Sequence, residues 1–239
     1  MRINRYLASC NVASRRKCEE IILSGQVKVN GELIRDLSYQ IDEKNDQVSV
    51  RGKIVEYKED FVYYILNKPE GVISAVSSRF DEPTVTQLIH DEPRRIYPVG
   101  RLDKDTEGLI FLTNDGDLSY RLTHPKFEKT KVYEALLKGR IDERGLTKLS
   151  KGVMLDGRKT SDAQVVLLKM IKGDSLIRIS IREGRNRQIR RMCEMIGHPV
   201  VRLKRIEEAG LRLGELKPGE YRKLNKNEIK KLYGADKEK

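Results

Sequence analysis

The 239-residue chain has no tryptophan, only 6% aromatic residues, three cysteines and three histidines. Cys10, Cys18 and Cys193 are odd in number and widely spaced, which excludes a disulfide framework. With so few histidines no zinc-ligand spacing arises, and no dinucleotide-binding glycine motif is present. No apolar run approaches the ~20 residues of a membrane helix. The opening Met1-Arg2-Ile3-Asn4 lacks the apolar core of a secretory signal. These absences predict a soluble, cytoplasmic protein with no metal, no cofactor and no membrane partner.

Charge is abundant. Lysine and arginine number 48 against 36 acidic residues, a formal +12. Residues 1–60 are nearly balanced at +1 and residues 61–150 are neutral, so residues 151–239 carry +11. A clustered excess of this kind implies a polyanionic partner. Nucleic acid fits better than a membrane surface, because amphipathic anchors rely on exposed Trp, Phe or Leu.

The first 58 residues have their own organisation. Ser14 is a natural N-cap for a helix over Arg15 to Ser24, and Gly25 is its stop. Cys18, Ile21 and Ile22 give that helix an apolar stripe, whereas Arg15, Arg16 and Lys17 crowd its first turn and oppose the macrodipole. Gln26 to Ile34 reads as a hairpin turning at Asn30-Gly31. The alternation at Val48 and Val50 closes this unit, and the charged stretch Glu56 to Asp60 reads as a linker. The segments Arg5-Tyr6-Leu7-Ala8, Ala13-Ser14-Arg15-Arg16 and Gly25 to Gly31 together resemble the S4 RNA-binding domain. Cys10-Asn11 departs from that pattern, which has a small residue and Gly before the second helix. The resemblance implies that Arg15, Arg16, Lys17 and Lys28 lie on an RNA backbone.

Residues 59–234 read as a second, larger domain, with 235–239 a frayed tail. Strands are expected at Phe61 to Leu66, Gly108 to Thr113, Val132 to Leu137, Ala163 to Met170 and Leu176 to Arg182. Helices are expected near Thr84 to His90, Leu118 to Thr123, Glu143 to Lys151 and Asn186 to Ile196. The elements do not repeat as βα units, so the fold class is α+β on a largely antiparallel mixed sheet with flanking helices.

Two constellations carry chemistry. Gly100-Arg101-Leu102-Asp103-Lys104-Asp105 is a polar loop directly before a buried strand. A calcium loop is excluded because its twelfth position is Asn114 rather than a bidentate Glu. A nuclease metal site at Asp103 and Asp105, a plain surface loop, and a single carboxylate beside an arginine stay open. The second constellation runs through Arg178, Arg182, Arg185, Arg187, Arg190 and Arg191, six arginines in fourteen residues with one Glu among them. Such density reads as a phosphate grip, and Arg202, Lys204 and Arg205 extend it. Asn186 and Gln188 add groups able to read polar edges.

The Gly-Arg-Leu-Asp loop, Lys131-Val132-Tyr133 and the Glu183 to Met192 run are together similar to the pseudouridine synthases. With the S4-like segment, Gly197-His198-Pro199-Val200 and Leu203-Lys204-Arg205, the chain resembles the RsuA/RluB branch, which modifies ribosomal RNA. The resemblance implies that Asp103 is the catalytic aspartate, Tyr133 packs on the target base and Arg185 pairs with the aspartate. It also implies that Arg101 helps hold a flipped-out nucleotide and that Ile181 lines the pocket. Arg187, Gln188, Arg190 and Arg191 would hold RNA. Flipping a nucleotide costs a few kcal/mol, and a paired arginine holds a carboxylate anionic against burial. Whether the aspartate attacks C1′, adds to C6 or assists elimination stays open. The implied partner is ribosomal RNA, free or in pre-ribosomal particles and more specifically that of the large subunit, bound by a monomer. The competing reading is a non-catalytic S4-type ribosome-assembly factor, which has no need of Asp103, Tyr133 and Arg185 together.

Overall fold

The computed structural model describes residues 1–57 and 60–234. The expected frayed tail lies outside the described residues, as do positions 58 and 59 of the expected linker. The chain forms two compact units, one of Met1–Phe61 with Pro93–Arg95, the other of Val62–Glu92 with the chain from Ile96 on.

In the first unit α1 (Ile3–Ser9) and α2 (Arg15–Leu23) precede β1 (Val27–Val29), β2 (Glu32–Leu33), β3 (Val48–Val50) and β4 (Lys53–Val55). The strands form an antiparallel sheet in the order β2-β1-β3-β4. Ser14 caps α2 by accepting a hydrogen bond from the Lys17 amide at 3.2 Å. Cys18, Ile21 and Ile22 turn into a core with Ile3, Leu7, Val27 and Val48, as their helical spacing requires. Asn30 and Gly31 both take positive φ, 52° and 89°, the backbone a tight two-residue hairpin turn needs. Arg15, Arg16, Lys17 and Lys28 are left exposed.

The second unit begins with β5 (Tyr63–Lys68), β6 (Tyr97–Val99), β7 (Glu107–Thr113), α3 (Gly116–Thr123) and β8 (Lys131–Leu137). It continues through α4 (Glu143–Ser150), the short strands β9 (Met154–Leu155) and β10 (Arg158–Lys159), β11 (Gln164–Ile171), β12 (Asp174–Ile181) and α5 (Gln188–Met195). The elements β13 (Val200–Glu208), β14 (Leu211–Arg212), β15 (Tyr221–Lys223) and α6 (Lys226–Tyr233) complete it. Its large sheet runs β11-β12-β8-β13-β7-β5-β15, with β6 on β7 and β14 on β13. Its strand pairs are antiparallel except β7 with β13, which are parallel. Ile110 and Leu112 of β7 join one core with Ile177, Ile179, Ile189 and Met192, while Leu109 and Phe111 join a second with Leu118, Leu122 and Leu232. The sheet is therefore covered on both faces, by α4 and α5 on one and by α3 and α6 on the other. All seven residues of β7 are buried, with an apolar run over Leu109–Leu112, as in a strand with no wet face.

The strands β6, β9, β10, β14 and β15 and the helix α6 were not expected from the sequence, and three further elements differ from expectation. β5 starts later than the apolar run and continues through Asn67 and Lys68, both fully buried. Pairing with β7 carries on to Lys68 opposite Gly108, and the Lys68 ammonium donates to the carbonyls of Pro69 and Val72 at 2.8 and 2.7 Å. Burial pulls this lysine down to about 8. The helix expected near Thr84 to His90 is a single 3₁₀ turn, Val85–Leu88, capped reciprocally by Thr84 and Gln87. β13 was legible only as a basic run, because charged residues interrupt the strand pattern.

Where β7 meets β13, Gly108 stands opposite Arg205 at φ +121°. A Cβ there would lie 2.3 Å from the Arg205 carbonyl oxygen, so only glycine permits the approach. Gly108→Ala is expected to destabilise the second unit by about 3 kcal/mol or more, read as a lowered midpoint in urea or thermal unfolding.

Candidate active site

The loop Gly100–Thr106 joins β6 to β7 and is tied down along its length. The Ser74 hydroxyl donates to the Leu102 carbonyl and accepts from the Leu102 amide, at 2.9 and 3.0 Å. The Gly71 amide donates to the Lys104 carbonyl at 2.8 Å, and the Thr106 amide to the Asp103 carbonyl at 3.0 Å. From α5, Arg187 grips Asp105 through two parallel bonds of 3.0 Å. Arg190 donates to the Asp105 carbonyl at 2.5 Å and stands 3.3 Å from its carboxylate. These bonds hold the Asp105 carboxyl below its ordinary range, so the latch is fully present above the ordinary aspartate range and is lost as pH falls through the depressed value.

A cleft of about 620 Å³ opens beside this loop, within the size range of small-molecule sites. Asp103, Arg101, Tyr133, Ile181, Arg185, Arg187 and Gln188 all line it. Four carboxylates border the cleft, and three are ion-paired: Glu128 with Arg182 at 3.8 Å, Glu183 with Arg185 at 3.2 Å and Glu208 with Arg205 at 3.1 Å. Among the described residues Asp103 alone of the four has no ion-pair partner. Tyr133 is buried on β8, and desolvation raises its phenol pKa against the lowering effect of nearby Arg205. The phenol is therefore neutral at physiological pH.

Asp103, Tyr133, Ile181 and Arg185 lie in the segment matched by the family model described as RNA pseudouridylate synthase, residues 62–195. The chain belongs to that family. An S4 domain model matches residues 1–48. The chain is 46% identical over 233 residues to the Bacillus subtilis (strain 168) protein called ribosomal large subunit pseudouridine synthase B, spanning 97% of this chain and 95% of the relative. It is 40% identical to an uncharacterized RNA pseudouridine synthase of Aquifex aeolicus (strain VF5), over 98% of this chain and 94% of that protein. A crystal structure of a pseudouridylate synthase superposes with a TM-score of 0.69 at 33% identity, covering 97% of this chain and 99% of that one. The α+β architecture and the S4-type N-terminal unit of the synthase agree with the sequence reading.

Several expected roles change. Arg185 lines the cleft, but its guanidinium is committed to Glu183 and to the carbonyls of Arg158 and Lys159, at 3.2, 3.0 and 2.7 Å. It braces the β9–β10 hairpin and does not pair with Asp103. Arg190 and Arg191 do not line the cleft. Arg191 forms a bidentate pair with Asp156 at the tip of the same hairpin, and Arg190 is a largely covered loop anchor. In the run Arg202, Lys204 and Arg205, the first two pair with buried Glu107 at 2.6 and 2.7 Å, Arg202 staying 59% exposed. Arg205 is 2% exposed, donates to the Leu109 carbonyl at 2.7 Å and sits 6.0 Å from the centre of the Tyr133 ring. Sequence density of arginine overstated the free charge: Arg187, Arg190, Arg191 and Arg202 meet acidic partners distant in sequence, and Arg185 and Arg205 meet Glu183 and Glu208 close by.

Other residues of the site escaped the sequence reading. Glu208 and Lys131 line the cleft with Arg205, and His124, to which the sequence assigned no role, stands at its rim. Leu203 and Arg205 are one strand period apart and both buried; that alternation was the available signal that Arg205 points inward. Asp105→Asn is expected to lower kcat about 10- to 100-fold through misplacement of the Asp103 loop, with RNA affinity unchanged or higher because two arginines are released. Measured by single-turnover kinetics beside filter binding, unaltered kcat would show that the latch does not set the loop. Arg190→Ala is expected to leave the salt dependence of RNA binding unchanged.

Proposed function

We propose that this synthase converts a uridine of ribosomal RNA, in the large subunit, to pseudouridine, with Asp103 as the catalytic carboxylate. The unpaired Asp103 in a cleft whose other carboxylates each have an ion-pair partner carries this reading. The reaction breaks the C1′–N1 bond, rotates the base, and joins C1′ to C5 as the C5 proton leaves and N1 takes up a proton. A carboxylate that no cation already occupies is available to the sugar or the base throughout. Tyr133 offers the flat face on which the base packs and a neutral hydroxyl able to relay a proton. Ile181, 4% exposed, supplies the apolar wall, and exposed Arg101 beside the cleft supplies positive charge for a flanking phosphate. Arg185 shapes the wall by holding the β9–β10 hairpin. The name of the Bacillus subtilis relative and the 97% coverage support the large-subunit target.

Arg15, Arg16 and Lys28 of the first unit are exposed and have no ion-pair partner among the described residues, and Lys17 has only a surface contact with Glu20. These cations hold RNA phosphates and read helical shape, leaving choice of uridine to the fold of the RNA. The enzyme works as a cytoplasmic monomer.

Asp103→Asn is expected to abolish pseudouridine formation in unmodified large-subunit RNA while leaving RNA affinity within about twofold, since a carboxylate contributes nothing to phosphate binding. Carbodiimide labelling followed by primer extension reads the product, which has the mass of uridine. A wild-type protein that marks no uridine on naked RNA or on partly assembled subunits would favour the assembly-factor reading. Replacing Arg15, Arg16 and Lys17 together by Ala is expected to reduce the salt slope of binding by about 0.7–0.9 for each phosphate no longer neutralised.

A further inference from the structure

At the rim of the cleft α3 ends at Thr123, and the chain makes a 3₁₀ turn over Pro125–Phe127. Three rings gather there: Tyr120 lies 4.8 Å from His124 and 5.7 Å from Phe127, centre to centre, and His124 lies 6.4 Å from Phe127. His124 borders the cleft, and Tyr120 is 47% exposed. Core packing does not call for an aromatic at position 120, because Leu118 and Leu122 supply the buried face of the same helix. The Lys126 ammonium stands over both outer rings, 5.1 Å from the centre of Tyr120 and 4.8 Å from that of Phe127. Behind them the Arg121 guanidinium is 5.9 Å from the Phe127 centre and 5.7 Å from that of Tyr233, and it donates to the Tyr233 carbonyl at 3.2 Å. The platform is thus fixed to α6 on one side and open on the other.

Exposed rings interleaved with cations are the composition of a single-strand stacking site, where aromatic faces take bases and lysines take the backbone. Withdrawal of a nucleotide into a pocket also unstacks its neighbours, whose bases then need an apolar face. We infer that Tyr120 offers its exposed ring as a stacking platform for an unpaired RNA base beside the uridine held at Asp103, braced by His124 and Phe127 at 51° and 89° to its plane, with Lys126 moving from the rings to a phosphate as the base arrives. The inference rests on the reading of the cleft as a uridine site.

The chain has no tryptophan, so Tyr120→Trp keeps the stacking face and installs a single indole fluorophore on it. In an Asp103→Asn background, single-stranded oligoadenylate is expected to quench the indole emission, whereas inorganic polyphosphate, which offers charge without bases, is not. With Asp103 restored, Tyr120→Ala is expected to raise KM for the RNA transcript about five- to 150-fold, the range of one lost base–aromatic stack. The change in kcat should be smaller, and the KM effect should be the same at low and high salt. Lys126→Ala should instead flatten the salt dependence. Equal responses of the indole to oligoadenylate and polyphosphate, or an unaltered KM for Tyr120→Ala, would overturn the platform. Pseudouridine formation by the wild-type protein, with no quenching of the indole in the Tyr120→Trp variant, would remove the platform and leave the activity standing. Quenching by oligoadenylate with no pseudouridine from the wild-type protein would remove the activity and keep the platform.

Discussion

The parallel pairing of β7 with β13 is the constraint on which the second unit depends. At Gly108 and Arg205 the two backbones approach too closely for any side chain on β7, and both strands feed the site. β7 is preceded by the Asp103 loop, and β13 carries Arg205 beneath Tyr133. The same seam brings buried Glu107 against Arg202 and Lys204. Burial alone would raise the Glu107 carboxyl, but hydrogen bonds from Lys204 and Arg202 outweigh it and hold the group below its ordinary range. Burying ions costs several kcal/mol each unless they are paired, and loss of one partner leaves the other stranded. The seam is thus held both by shape and by charge pairing.

That pairing alters the meaning of the basic composition. Most arginines of the dense run are spent on the protein itself, on Asp105, Asp156, Glu183 and backbone carbonyls. Their long-range field persists, since the net excess of the last third is unchanged by which partner each cation meets. Exposed cations remain on α2 of the first unit, at Arg15, Arg16 and Lys17, and beside the cleft of the second, at Arg101.

The same arrangement explains how one carboxylate is singled out. Asp103 and Asp105 are two residues apart in a loop, yet the loop's turn delivers Asp103 to the cleft and Asp105 to α5. Two arginines neutralise the second and none among the described residues is ion-paired with the first. A loop tied through a bound neighbour holds its unpaired carboxylate in place in advance.

The sequence by itself determined the two-unit order, the capped α2 with its exposed cations, the Asn30-Gly31 hairpin, the β7, β8 and β12 strands and the amphipathic α5. Each depends on spacing or turn chemistry within a few residues, which local sequence records directly. It also marked Asp103, Tyr133 and Ile181, because they sit in long ordered motifs. Only the tertiary structure decided which charges are free. The Arg187 and Arg190 latch joins positions more than 80 residues apart, and Glu107 meets Arg202 across 95. Arg185 turned to the β9–β10 hairpin, and β13 became a central strand although its sequence reads as surface. A cation's partner is set by which backbones pack together, and that packing is a property of the whole chain.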